Sequence, residues 1–292
     1  MAKKNMHRSA LGAKASRRLA NTAIYIVLIL ITVIWLFPFF GILMESFKVN
    51  TKMMDGELFP KKFGFDNYIR LFNETDFLKW FGNTAIMGIA TAVFQTAFVL
   101  MMSYTLSRLR FKGRKSLMNL MLILGMFPGF LTMILIYKVF VDLGLTMEMA
   151  PVGLVIVYCA SSGMSYYISK GFFDTIPKTL DEAARVDGAN RAQVMFKIIL
   201  PLTKPIVIYT MLTAFMSPWG DFMFAKYIAH NTSEGMNVAV GLQSLISTPQ
   251  MLSAHYTEFC AGGVLVAVPI TILFMCLQKY YVEGVTGGAV KG

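Results

Sequence analysis

Six stretches of roughly 20 mostly apolar residues, at 24–44, 84–106, 117–139, 149–169, 204–226 and 259–279, constrain this chain more than any other feature. A helix of about 20 residues crosses a hydrocarbon layer, and only helices or closed barrels satisfy their backbone polar groups there. Nothing in the sequence alternates with the period of two that barrel strands require, so an all-α integral membrane protein of six bundled spans is expected. Composition agrees: 56% of residues are hydrophobic and only 15% charged, against about 25% charged in soluble domains. The fourth and fifth stretches are the least uniform, interrupted by Pro151, by Ser161-Ser162-Gly163 and by Ser217-Pro218. In the first, Phe37-Pro38 predicts a kink or local unwinding.

Charge sets the orientation. With the N-terminus inside, 19 of the 27 Lys and Arg residues fall on the inner side, in 1–23, 107–116, 170–204 and 279–292. The positive-inside rule therefore places both termini in the cytosol. Arg108-Leu109-Arg110-Phe111-Lys112-Gly113-Arg114-Lys115 contains no acid and reads as a cytosolic anchor, so the net charge of +11 is topological. Short basic loops without a folded basic domain exclude nucleic acid as a partner. Lys3 to Arg18 followed by an apolar run imitates a secretory signal. The run is too long and lacks a small-residue cleavage site, so it reads as a retained first span. Three regions result: a basic cytosolic segment 1–23, a six-helix membrane domain 24–279 and a cytosolic tail 280–292.

Between the fourth and fifth stretches lies a polar segment, 170–203, with its own start and stop signals. Thr179 and Glu182 have capping-box spacing, which predicts a helix over about 180–187 that ends at Gly188. Asn190 and Gln193 restart a second helix, and Pro201 limits it. Leu180, Ala183 and Ala184 would share one face of the first helix. Ala192, Met195, Phe196 and Ile199 would form an apolar stripe on the second. Two short helices about a tight glycine turn would make a rigid knob suited to being gripped by another protein.

Glu182-Ala183-Ala184, Asp187-Gly188-Ala189 and Leu200-Pro201, with a membrane stretch on either side, resemble the EAA loop of ABC-transporter permease subunits. The resemblance extends over nearly the whole chain. Asn67-Tyr68, Phe72, Phe77, Trp80 and Asn83-Thr84 are similar to the entry to the permease core of binding-protein-dependent importers, and Phe77, Trp80 and Phe81 also suit an interfacial aromatic belt. Val238-Ala239-Val240-Gly241-Leu242-Gln243 and the glycine-rich tail ending in Lys291-Gly292 look like the smaller permease subunit of maltose/maltodextrin importers.

The resemblance implies a type I ABC importer permease fold, with its core at 84–279, in a bacterial cytoplasmic membrane. It also implies a second, homologous permease, two ATP-binding subunits, an extracellular solute-binding protein, and a carbohydrate, malto-oligosaccharide or related, as substrate. Glu182 would face a basic residue of the ATPase, with Ala183, Ala184, Asp187, Gly188, Leu200 and Pro201 completing the coupling loop. Thr286, Gly287, Gly288, Lys291 and Gly292 would reach towards the ATPase interface. The outer loop between Gln243 and Tyr256, with Ser244, Thr248, Pro249, Gln250, Met251 and Tyr256, would meet the binding protein. Trp219 and Asp221 pair an aromatic plane with a carboxylate, the chemistry that holds a sugar on a translocation path. Pro128, Pro151 and Pro218 would serve as yielding points. In the prokaryotic context so implied, the sequons at Asn73 and Asn231 carry no meaning.

Phosphate-loop, zinc-protease and nucleophile-elbow motifs are absent, so a transport subunit without catalysis is expected, with ATP and Mg bound by the partner ATPase. Cys159, Cys260 and Cys276 are isolated in apolar stretches, and His7, His230 and His255 are far apart, so no cofactor or metal site is expected in the chain. Two alternatives stand beside this reading. One is an ABC permease for another solute, such as glycerol phosphate, because the loop reads the ATPase and not the cargo. The other is an ion-coupled secondary carrier, which would show repeated halves or midplane acids.

Overall fold

The structure, a computed structural model, describes residues 2–49, 57–127, 129–161, 163–230 and 232–286. Among the described residues helix is the repeating element, and an antiparallel bridge joins Lys48 to Phe63. In chain order the helices are α1 (Ala2–Ser46), α2 (Asp66–Glu74), α3 (Phe77–Arg108), α4 (Arg114–Gly125), α5 (Gly129–Asp142), α6 (Ala150–Ala160) and α7 (Gly163–Asp174). They continue as α8 (Lys178–Val186), α9 (Arg191–Val194), α10 (Leu200–Leu202), α11 (Lys204–Gly220), α12 (Met223–Ala229), α13 (Val238–Ser244) and α14 (Pro249–Thr286).

Three segments among the described residues are single helices long and apolar enough to cross a membrane: Arg17–Ser46 of α1, α3, and Pro249–Tyr280 of α14. The other three expected spans are each divided. The stretch 117–139 splits into α4 and α5, 149–169 into α6 and α7 after Ala160, and 204–226 into α11 and α12 at Asp221-Phe222. Pro151 does not interrupt its helix as expected. It sits in the first turn of α6, where its missing N–H would have had no helical partner anyway. Pro218 lies in the last turns of α11 and Pro38 inside an unbroken α1. Pro128 and Asn231 lie outside the described residues.

α3 is the spine. It packs along α11, α6 and α7, while α14 joins α11 on one side and α1 on the other. α1 is exposed along its apolar length and is held to the bundle at its far end, where the buried Asn67 amide donates to the carbonyls of Ser46 (2.9 Å) and Lys48 (2.7 Å). Two buried clusters occupy opposite ends of α3. One gathers Phe77, Trp80, Met87, Leu154, Trp219 and Ile228, and the other Leu100, Tyr104, Phe173, Val194, Ile199 and Ile206.

The aromatic belt expected of Phe77 and Trp80 is not there. Both are buried, at 2% and 5% exposure, because the chain around Ser233 folds over them and the Trp80 indole N–H donates to Ser233 Oγ at 2.9 Å. At this end Asn83 donates to the carbonyls of Glu234 and Met236, and Lys79 pairs with Glu234 at 3.1 Å. The backbone N–H of Glu234, and after it the Lys79 ammonium, hold the Glu234 carboxyl below the ordinary carboxylate range.

Candidate functional site

At the Arg108 end of α3, the segment after α7 forms a protruding knob. Pro177, extended at ψ 132, delivers the chain into α8 at Lys178. Thr179 is therefore already helical, and no side chain caps α8, which corrects the capping box expected of Thr179 and Glu182. The stop is as expected. Gly188 takes φ +85, its N–H donates to Arg185 O at 3.0 Å, and Ala189 N–H reaches back to Ala184 O at 2.9 Å. Glycine alone adopts this φ without steric cost. Asn190 then caps α9: its Oδ1 accepts from Gln193 N–H at 2.9 Å, and Gln193 Oε1 accepts from Asn190 N–H at 2.8 Å.

Past α9 the winding loosens to a π turn over Met195–Ile199, with Leu200 N–H bonded to Met195 O. The extra residue in that turn re-phases the stripe. Val194, Met195 and Ile199 face inward, while Ala192 and Phe196, expected on the same apolar face, are exposed. Leu200 and Pro201 follow in α10, and the segment then meets α11 at 86°.

On α8 the inward residues are Asp181 and Ala184, whereas Glu182, Ala183 and Asp187 are exposed, with Leu180 and Val186 beside them as uncovered apolar side chains. The predicted sharing of one face by Leu180, Ala183 and Ala184 is thus split. Its cause is Arg108, whose guanidinium draws Asp181 inward at 2.9 Å and whose Nη2 donates to Ile176 O at 3.1 Å. Beside it Ser107 donates to Asp174 Oδ1 at 2.6 Å. In the sequence Arg108 reads only as part of a basic anchor, and Asp181 as one more surface acid. No local signal links residues on separate elements.

The opposite end carries the residues expected to meet the binding protein. Ser244 ends α13, its hydroxyl donating to Gly241 O, and Thr248 Oγ1 accepts from Met251 N–H at the start of α14. The expected outer loop between Gln243 and Tyr256 therefore shrinks to the turn 245–248, with Pro249, Gln250, Met251 and Tyr256 on the helix. Ser244, Ser247, Met251 and His255 share a cavity of about 710 Å³ with Asn73 and Asp76. Beneath it the buried Glu258 accepts from Arg70 at 2.6 Å and contacts His255. Thr286 is the last residue of α14, so the helix runs seven residues into the expected tail, while Gly287, Gly288, Lys291 and Gly292 lie outside the described residues.

Trp219 and Asp221 hold the break between α11 and α12. Trp219 is 7% exposed, its ring packed by Phe81 (5.1 Å) and Phe215 (5.8 Å), so neither face is open to a ligand. Asp221 accepts from Tyr158 Oη at 2.7 Å and from Phe224 N–H at 3.1 Å, while the Asn237 amide donates to the carbonyls of Pro218 and Asp221. Among the described residues no group of His, Cys, Asp or Glu has the arrangement of a metal site.

Residues 100–287 match the family described as binding-protein-dependent transport system inner membrane component. The chain belongs to this family. It is 34% identical over 283 residues to the maltodextrin transport system permease protein MdxG of Bacillus subtilis, covering 97% of this chain and 100% of that one. It is also 34% identical to the galactooligosaccharides transport system permease protein GanQ of the same organism, over 92% of this chain and 94% of the relative. In fold, this permease is similar to a chain in the crystal structure of a bacterial ABC transporter that imports alginate. The TM-score is 0.77 at 23% identity, over 91% of this chain and 98% of that chain.

Proposed function

We propose that this permease is one half of the membrane channel of an ATP-driven importer that passes an oligosaccharide across the cytoplasmic membrane. In this reading the divided helices α4–α5, α6–α7 and α11–α12 each make one crossing, giving six with α1, α3 and α14, and both termini lie in the cytosol. The knob from α8 to α10 is the surface gripped by a separate ATPase, with Glu182, Ala183 and Asp187 outward and Ala184, Gly188, Leu200 and Pro201 setting its shape. A second permease, two ATP-binding subunits that hold ATP and Mg, and an extracellular binding protein complete the machine. The turn 245–248 and the start of α14 face that binding protein, and the tail from Thr286 reaches towards the ATPases.

One observation carries the reading: an exposed, internally capped knob that meets α11 at 86°, fixed to α3 by the buried Arg108–Asp181 pair. A knob so held transmits force instead of flexing. For transport, ATP-driven closure must favour one state of the permease over the other, since equal affinity for both shifts nothing.

The test is a detergent pull-down from the native membrane with Glu182→Lys as the comparison. Wild type should retain a second permease, an ATPase and a solute-binding protein. The variant should reach the membrane in normal amount and lose the ATPase. Recovery of the chain alone, or equal ATPase recovery in both, would overturn the assignment.

A further inference from the structure

Between α5 and α12, at the end of the bundle remote from Arg108, lies a cavity of about 480 Å³ that none of the segments above uses. It is lined by Met133, Phe222, Met223, Lys226, Tyr227 and His230. Tyr137 stands behind it, its ring centroid 4.4 Å from that of Tyr227 and its hydroxyl 2.6 Å from His230 Nε2. Lys226 Nζ lies 5.1 Å from the centre of the Phe222 ring and donates to Gln243 Oε1 at 2.8 Å.

Three observations point to a ligand. First, the Lys226 ammonium, the His230 imidazole and the Tyr227 phenol converge with Phe222 and Met133 on one cavity, the mix of apolar walls and a few polar groups that marks a ligand site. Second, His230 has φ 52 and ψ −127, a left-handed backbone rare for a residue with a side chain. Strain of this kind persists where the surroundings enforce it and gathers at ligand sites. With Nε2 bound to Tyr137, the His230 Nδ1 has no partner among the described residues. Third, the lining contains no carboxylate, so the cavity does not suit a cation. Aromatic planes edged by hydrogen-bonding groups suit a sugar ring, which presents apolar C–H faces and a rim of hydroxyls.

We propose that the α5–α12 cavity is a saccharide contact on the translocation route, with Tyr227 and Phe222 as stacking planes and His230 and Lys226 as hydrogen-bonding partners. This rests on the carbohydrate reading above and gives this subunit its own grip on the cargo. The role expected of Trp219 and Asp221 moves just beyond them along the chain, from side chains that hold the break after α11 to side chains on α12 and at its end.

The test uses the whole transporter in proteoliposomes, supplied with its binding protein and a panel of malto-, galacto- and arabino-oligosaccharides. Sugar moved and ATP hydrolysed are both measured for wild type, Tyr227→Ala and His230→Gly. Glycine accepts the positive φ, so the second variant removes the imidazole without adding backbone strain. Both variants should lower the sugar moved per ATP roughly three- to tenfold, the loss of one aromatic or polar contact. A ratio equal to wild type would overturn the inference, as would uptake and hydrolysis falling in proportion, the mark of an interfacial anchor. Wild type that hydrolyses ATP but moves none of the panel would overturn the carbohydrate reading and this inference with it.

Discussion

Arg108 Nε lies 2.9 Å from Asp181 Oδ2, and the two side chains are 2% and 8% exposed. The pair joins the end of the longest-packed helix of the bundle to the helix that carries Glu182. Its burial makes the partners mutually dependent.

Removing one partner leaves an uncompensated charge in a dry site, at about 3–5 kcal/mol. Arg108→Met or Asp181→Leu alone should therefore lower the thermal unfolding temperature of the purified complex sharply. The double variant should recover most of the loss. A double variant no better than the worse single one would show that the pair is not the cause.

Gly188→Ala tests the turn between α8 and α9. Open space surrounds the position, so an added methyl meets nothing and the cost is that of φ +85 alone, roughly 1–2 kcal/mol. The knob should loosen while the membrane bundle keeps its stability. Hydrogen exchange should speed up in 178–199 and stay unaltered in α3.

Gly241→Ala acts through space instead of backbone. A methyl there would lie 2.1 Å from Trp80 Cδ2, inside any permissible contact. Overpacking of this kind costs about 1–3 kcal/mol, and the indole has to move. Trp80 also donates to Ser233. A red-shifted tryptophan emission together with a lower unfolding temperature is expected, and an unaltered spectrum would refute the contact.

The features legible in the sequence are those whose cause is local. Gly188 and the Asn190–Gln193 cap depend on residues within a few positions of one another, and each sits where the pattern places it. What the pattern missed has remote causes, or in one case an irregular turn. Phe77 and Trp80 look interfacial until the chain around Ser233 covers them. Phe196 falls on the apolar stripe of a regular helix, but the π turn carries it outward. Asp181 counts as one more surface acid until Arg108 is beside it. Tyr137 and His230 meet only because α5 and α12 pack, so neither announces itself alone. The divided spans follow the same rule, since apolar length marks where a crossing lies and says nothing of where its backbone lets go.

Asn237 shows what that means for the junction of α11 and α12. Its amide supplies donors to the carbonyls of Pro218, in the last turn of α11, and of Asp221, in the break, and it does so from the start of α13. The bend is thus not a property the span owns. Excised into a bilayer, residues 204–229 would lose the borrowed donor, and hydrocarbon would press those carbonyls back towards continuous helix. The shape of this junction is on loan from a neighbour, and whatever shifts α13 has a hand on it.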